Sequence, residues 1–121
     1  VEYHPYIDQT PVLDSLRKND MSLTCYSPIA RGKIAEDPVI QSIAKAHGKS
    51  ESQVTLRWEI QQENVMTIPK SSNKQRIQEN FEIFDFELSA EEMEKIHNLA
   101  REDGRLINPG FSPDWDTAKA A

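Results

Sequence analysis

The chain has 121 residues, with 14 Lys+Arg against 20 Asp+Glu for a formal charge of -6; it is 37% hydrophobic and 28% charged. That balance argues against a general nucleic-acid or anionic-membrane surface, and it makes any local cluster of cations informative. The size suits one small soluble globular domain, no apolar run approaches the roughly 20 residues of a membrane helix, and nothing resembles a signal peptide. The single cysteine, Cys25, cannot form an internal disulfide and lies in the apolar run LTCY, so a buried thiol in a reducing cytoplasm is expected. Residue 1 is a valine already inside a strand pattern, so the chain reads as a fragment of a longer polypeptide.

VEYHPYI alternates and then meets Pro5, which predicts a short strand running into a loop. Thr10 with Pro11 predicts a helix start, N-cap followed by N1 proline, and Val12, Leu13 and Leu16 form its apolar stripe until Asn19-Asp20. MSLTCYS reads as a strand closed by Ser27-Pro28, and ARGKIAED as a polar loop. Asp37-Pro38 opens the next helix, with Val39, Ile40, Ile43 and Ala44 at helical spacing and Gly48 as its cap. Val54, Leu56, Trp58 and Ile60 alternate like a strand, but Ser50-Glu51-Ser52-Gln53 is a capping box, which decides for a helix buried on a broad face. Val65 to Ile68 reads as a strand stopped by Pro69. A second box, Ser72-Asn73-Lys74-Gln75, opens a helix with Ile77 and Phe81 on one face. A third, Ser89-Ala90-Glu91-Glu92, precedes Met93, Ile96, Leu99 and Ala100. The order is strand, helix, strand, two helices, strand, two helices, an α/β pattern whose crossovers are long enough to join parallel strands. Three parallel strands would leave bare edges, which again points to a longer parent.

The turn from Ile68 to Phe81, IPKSSNKQRIQENF, collects Lys70, Ser71, Ser72, Lys74 and Arg76 at a strand end. If Ser72 caps the following helix, its first-turn N–H groups and the positive end of its dipole face outward, which favours an anion. Lys70 would add a point charge, Ser71 a hydroxyl and Arg76 a guanidinium fork, with Glu79 and Asn80 on the same face. A capped surface helix with solvated cations fits the spacing as well. The glycines of a Walker or Rossmann loop are absent.

IPKSSNKQRIQENF resembles the signature of the aldo-keto reductase family around its last barrel strand. VEYHPY is similar to the family's sixth strand, and LTCYSPIARGK to its seventh strand and following loop. The tail REDGRLINPGFSPDWD resembles the bacterial 2,5-diketo-D-gluconate and methylglyoxal reductase branch. The resemblance implies the C-terminal portion, strands six to eight with their helices, of a (β/α)8 TIM barrel. It implies NADPH as cofactor, with Lys70, Ser71 and Arg76 on the 2′-phosphate, aided by the backbone or hydroxyl of Ser72. Glu79 and Asn80 would meet the adenine, Tyr26 would stack on the nicotinamide, and Ser27, Ile29 and Ala30 would line the pyrophosphate path. Arg31, Gly32 and Lys33 are weaker candidates. Trp115 would either touch substrate or pin the C-terminus. The implied substrate is a small carbonyl compound: a keto sugar, a methylglyoxal-like dicarbonyl or an aldehyde.

The family's aspartate, tyrosine, lysine and histidine catalytic tetrad belongs to its first half, and no residue here matches it. Tyr3 and Tyr6 match no catalytic position. His4, His47 and His97 read as structural, since none has a partner spaced for metal or triad chemistry. The resemblance thus implies a chain that holds most of the cofactor site and is inactive without the missing N-terminal half. A non-catalytic NADP-binding module and a self-associating half-barrel, in which a complementing copy covers the open edges, are the alternatives.

Overall fold

Two parallel strands set the frame: β1 (Leu23–Cys25) pairs with β2 (Val65–Thr67) in the register Leu23↔Val65, Thr24↔Met66, Cys25↔Thr67. The computed structural model describes residues 1–113. A parallel bridge between Glu2 and Tyr26 sets the N-terminal segment beside β1. There the Tyr26 N–H donates to the Val1 carbonyl at 2.9 Å and the Tyr3 N–H to the Tyr26 carbonyl at 3.4 Å. The predicted first strand is therefore reduced to one rung, because Pro5 lacks an N–H and the chain turns at once.

Strand alternation sorts the side chains into two faces. Leu23, Cys25 and Val65 point to the buried face, whereas Thr24, Tyr26, Met66 and Ile68 are exposed. Among the described residues, five α-helices complete the fold: α1 (Thr10–Lys18), α2 (Pro38–His47), α3 (Glu51–Ile60), α4 (Lys74–Phe81) and α5 (Ala90–His97). The core on the covered side joins Tyr3, Leu13, Ile34, Ile40, Val54, Trp58 and Ile96. The Trp58 ring lies 5.1 Å from that of Tyr3, tilted by 44°. None of the described helices is long and apolar enough to cross a membrane.

Helix α3 has the expected capping box, with the Gln53 N–H donating to Ser50 Oγ and the Ser50 N–H to Gln53 Oε1. Gln53, Val54, Thr55, Leu56, Trp58 and Glu59 are all buried, which explains why its apolar pattern looked strand-like: nearly every side of the helix is covered. Asp37 caps α2, Gly48 ends it at φ 62, and Ser89 caps α5 in a capping box, each as expected.

Three expectations are corrected. The N-cap of α1 is Gln9, which makes no side-chain cap bond; Thr10 is already helical, its N–H donating to Asp8 Oδ1 at 2.9 Å. The N-cap of α4 is Asn73 and not Ser72: Asn73 Oδ1 accepts the Arg76 N–H at 3.0 Å, and Ser71 Oγ accepts the Asn73 N–H at 3.1 Å. An amide at 73 reaches the first turn as well as a hydroxyl at 72 would, and the bracing from Ser71 settles the register. The supposed loop ARGKIAED is a 3-10 helix over Ala30–Glu36, broken by left-handed Arg31 and Gly32.

Candidate functional site

In a parallel sheet, the loops leaving the C-terminal ends of neighbouring strands emerge side by side, and ligands bind there. The loop after β1 begins at Tyr26, and the loop after β2 contains Lys70. The Ile68 N–H donates to the Cys25 carbonyl at 3.1 Å, so the ladder holds the roots of the two loops together.

Tyr26 is 39% exposed and projects from the open face of the sheet. The backbone beyond it is strained: Ser27, Ala30 and Arg31 have φ of 54, 47 and 53, ahead of Gly32 at 87. Each left-handed L-residue costs roughly 1–2 kcal/mol. Such strain persists only where the surroundings dictate it. Here a turn does so, with the Ala30 N–H on the Ser27 carbonyl and the Gly32 N–H on the Ile29 carbonyl, at 2.9 and 2.8 Å. Ala30 is fully buried, Ser27 and Ile29 are half-buried, and Arg31, Gly32 and Lys33 are exposed.

In the second loop Lys70, Ser72 and Arg76 are exposed and Ser71 is half-buried. Among the described residues no carboxylate pairs with Lys70, Lys74 or Arg76, although the chain has an excess of acids. Asn73 takes the Arg76 and Ile77 N–H groups, and the N–H groups of Lys74 and Gln75 have no acceptor among the described residues. Two free backbone donors, hydroxyls and unpaired cations form a donor set suited to a phosphate. Glu79 and Asn80 are half-buried on the same helix, where Glu79 Oε1 accepts from Gln75 Nε2 at 3.0 Å and its carbonyl accepts from Gln53 Nε2 at 3.1 Å. Trp115 lies outside the described residues.

The histidines have structural partners. His47 Nε2 lies 3.0 Å from both Glu92 oxygens, with its ring against Phe86. His97 Nε2 lies 3.5 Å from Thr10 Oγ1. His4 Nε2 lies 3.0 Å from Glu2 Oε1, and burial pushes the His4 pKa below its ordinary range against the pull of that carboxylate. Two features went unread in the sequence. One is the buried Glu2 carboxylate, which accepts the Leu106 and Ile107 N–H groups at 2.7 and 3.1 Å. The other is Glu59, fully buried, with the Thr67 hydroxyl and the Cys25 thiol facing its carboxyl and no cation beside it among the described residues. An acid inside an apolar strand pattern was the available signal for the first. Nothing local marked the second.

Residues 1–101 match the Aldo/keto reductase family. The chain is 43% identical over 117 residues to the 9,11-endoperoxide prostaglandin H2 reductase of Trypanosoma cruzi, covering 94% of this chain and 40% of that protein. It is 42% identical over 109 residues to the glyoxal reductase of Bacillus subtilis, covering 90% and 39%. It therefore spans about two fifths of the length of these relatives. A solved structure assigned to 2,5-diketo-D-gluconic acid reductase B superposes with a TM-score of 0.92 at 50% identity, covering 96% of this chain and 42% of that one. A mutant of Gox0644 solved in complex with NADPH gives 0.85 at 32% identity, covering 89% and 40%. With the parallel strands, the paired loops and these matches in agreement, the chain belongs to the aldo/keto reductase family.

Proposed function

We propose that this chain is the cofactor-binding C-terminal portion, strands six to eight with their helices, of an NADPH-dependent carbonyl reductase. The observation that carries the reading is the placement of a turn of unpaired cations beside a strained, tyrosine-led loop at the C-terminal ends of adjacent parallel strands. The NADPH complex of a structural neighbour supports the choice of cofactor. When bound, the nicotinamide supplies a hydride to a carbonyl carbon.

The chain's own residues bind and orient. Lys70 and the Arg76 fork, with Ser71, Ser72 and the free N–H groups of Lys74 and Gln75, hold the 2′-phosphate. Glu79 and Asn80 meet the adenine. Ser27, Ile29 and Ala30 shape the pyrophosphate path, and the Tyr26 ring offers an apolar face to the nicotinamide. Proton delivery belongs to a tetrad that has no counterpart among these residues, so the isolated chain binds NADPH without turning over. Small dicarbonyls and keto sugars are the substrates best supported, in line with the glyoxal reductase and the 2,5-diketo-D-gluconic acid reductase it resembles.

Fluorescence titration tests the reading. The chain should bind NADPH more tightly than NADH, and Arg76→Ala should weaken NADPH about tenfold, the value of one charge-assisted contact, while NADH binding stays the same. Equal loss for both cofactors, or none for either, would place the phosphate elsewhere. Steady carbonyl reduction by the chain alone would overturn the division of labour.

A further inference from the structure

Glu2 is a strand residue whose carboxylate serves another segment entirely. Its side chain is only 2% exposed, and three donors converge on it: His4 Nε2 and the Leu106 N–H on Oε1, and the Ile107 N–H on Oε2. The His4 tautomer follows from its other nitrogen. Nδ1 accepts the Tyr6 N–H at 3.3 Å, so Nε2 carries the proton and donates to Glu2. Two successive backbone N–H groups turned onto one carboxylate form a small anion nest, occupied here from within the chain. The same tail is tied a second time by the Arg101 N–H, which donates to the Tyr6 carbonyl at 3.1 Å.

The sheet geometry tells where this anchor holds the tail. Glu2 and Tyr26 are parallel bridge partners, and such partners send their side chains to the same face, with strands roughly 5 Å apart. The carboxylate that grips residues 106 and 107 therefore projects from the face that carries the Tyr26 ring. Thr24, Tyr26 and Met66 on that face are exposed, whereas Glu2 is buried with the tail bound over its carboxylate.

Resting on the cofactor reading above, we infer that Glu2 is a positioning residue: its carboxylate seats the Leu106–Ile107 backbone over the Tyr26 face, and so makes the Ile107 side chain a wall beside the nicotinamide. Ile107 is 39% exposed, an apolar side chain with room for a partner.

The experiment uses the 121-residue chain with two readouts: amide hydrogen exchange, and the emission of bound NADPH, which reports the surroundings of the nicotinamide. Glu2→Gln replaces one acceptor oxygen by a donor. It should speed exchange at Leu106 or Ile107 about tenfold and leave the Leu23 amide unchanged. It should also lower bound-state emission, with the Kd for NADPH within about twofold of wild type because the phosphate turn is untouched. Ile107→Ala keeps both backbone donors and should lower emission with the amides still protected; it decides the matter if Glu2→Gln does not fold. Wild-type exchange rates in Glu2→Gln would overturn the anchor. Wild-type emission in Ile107→Ala would overturn the wall. Absence of NADPH binding by the wild-type chain would instead overturn the cofactor reading, and the positioning role with it.

Discussion

Gly104 is pressed against the Tyr6 carbonyl oxygen so closely that a Cβ at this position would overlap it. The contact is made by backbone on both sides, so no side chain can swing away to relieve it. The same carbonyl accepts the Arg101 N–H, and the Arg101 guanidinium lies 4.4 Å from the centre of the Tyr6 ring. Gly104→Ala should therefore destabilise the chain by about 1–3 kcal/mol, as overpacking does. A lowered midpoint in urea denaturation, with loss of amide protection first at residues 104–107, checks it.

Glu59 should make stability fall as pH rises. Burial holds its carboxyl well above the ordinary 4.5, and the facing groups, the Thr67 hydroxyl and the Cys25 thiol, offset only part of that. No cation is among them. Above 4.5 the unfolded chain releases a proton that the folded chain keeps, so the unfolded side gains with each step upward until the folded carboxyl ionises too. The slope is at most about 1.4 kcal/mol per pH unit. Glu59→Gln should flatten this dependence between pH 5 and 8 in urea melts, by roughly the same slope. An unchanged slope in the variant would show that Glu59 is ionised in the fold.

Gln61 should matter more than its half-buried surface suggests. Its Nε2 donates to the Leu88 carbonyl at 2.7 Å and its Oε1 accepts the Leu88 N–H at 2.9 Å, so one amide completes the backbone of a buried residue in the loop before α5. Arg57 Nε donates to the same Oε1 at 3.0 Å. Gln61→Leu would strand both Leu88 groups and should lose about 2–4 kcal/mol of stability. Thermal melts of the variant check this.

Cys25 should be inert in the folded chain. It is fully buried, its thiol donates to the Met66 carbonyl at 2.9 Å, and burial pushes its pKa up to about 12. Iodoacetamide at pH 8 should leave native protein unmodified over hours and label it fully in denaturant, as read by intact mass, because the thiolate is the nucleophile.

Much of the architecture was legible because it is written in short-range chemistry. Ser50 with Gln53 and Ser89 with Glu92 close rings within four residues, and these caps stand where the pattern put them. Where two neighbouring residues could serve, local reading went astray: Asn73 and not Ser72 caps α4, and Gln9 and not Thr10 precedes α1. The 3-10 helix after β1 was hidden because left-handed Arg31 and Gly32 interrupt every helical period. In the site, the cationic turn was visible as composition against an acidic background. The Glu2 anchor joins residues more than a hundred positions apart, and no window along the chain could have contained both ends.

The pairing of Leu23 with Val65 joins strands some forty residues apart through α2 and α3. Closing that loop comes before any gain from the pairing, so this part of the ladder is expected late on the folding pathway. The loop that starts at Tyr26 and the loop that carries Lys70 come side by side only when it closes. Recovery of NADPH binding during refolding should then lag behind helical signal and coincide with protection of the Leu23 amide, which makes cofactor capture a clock for the crossover.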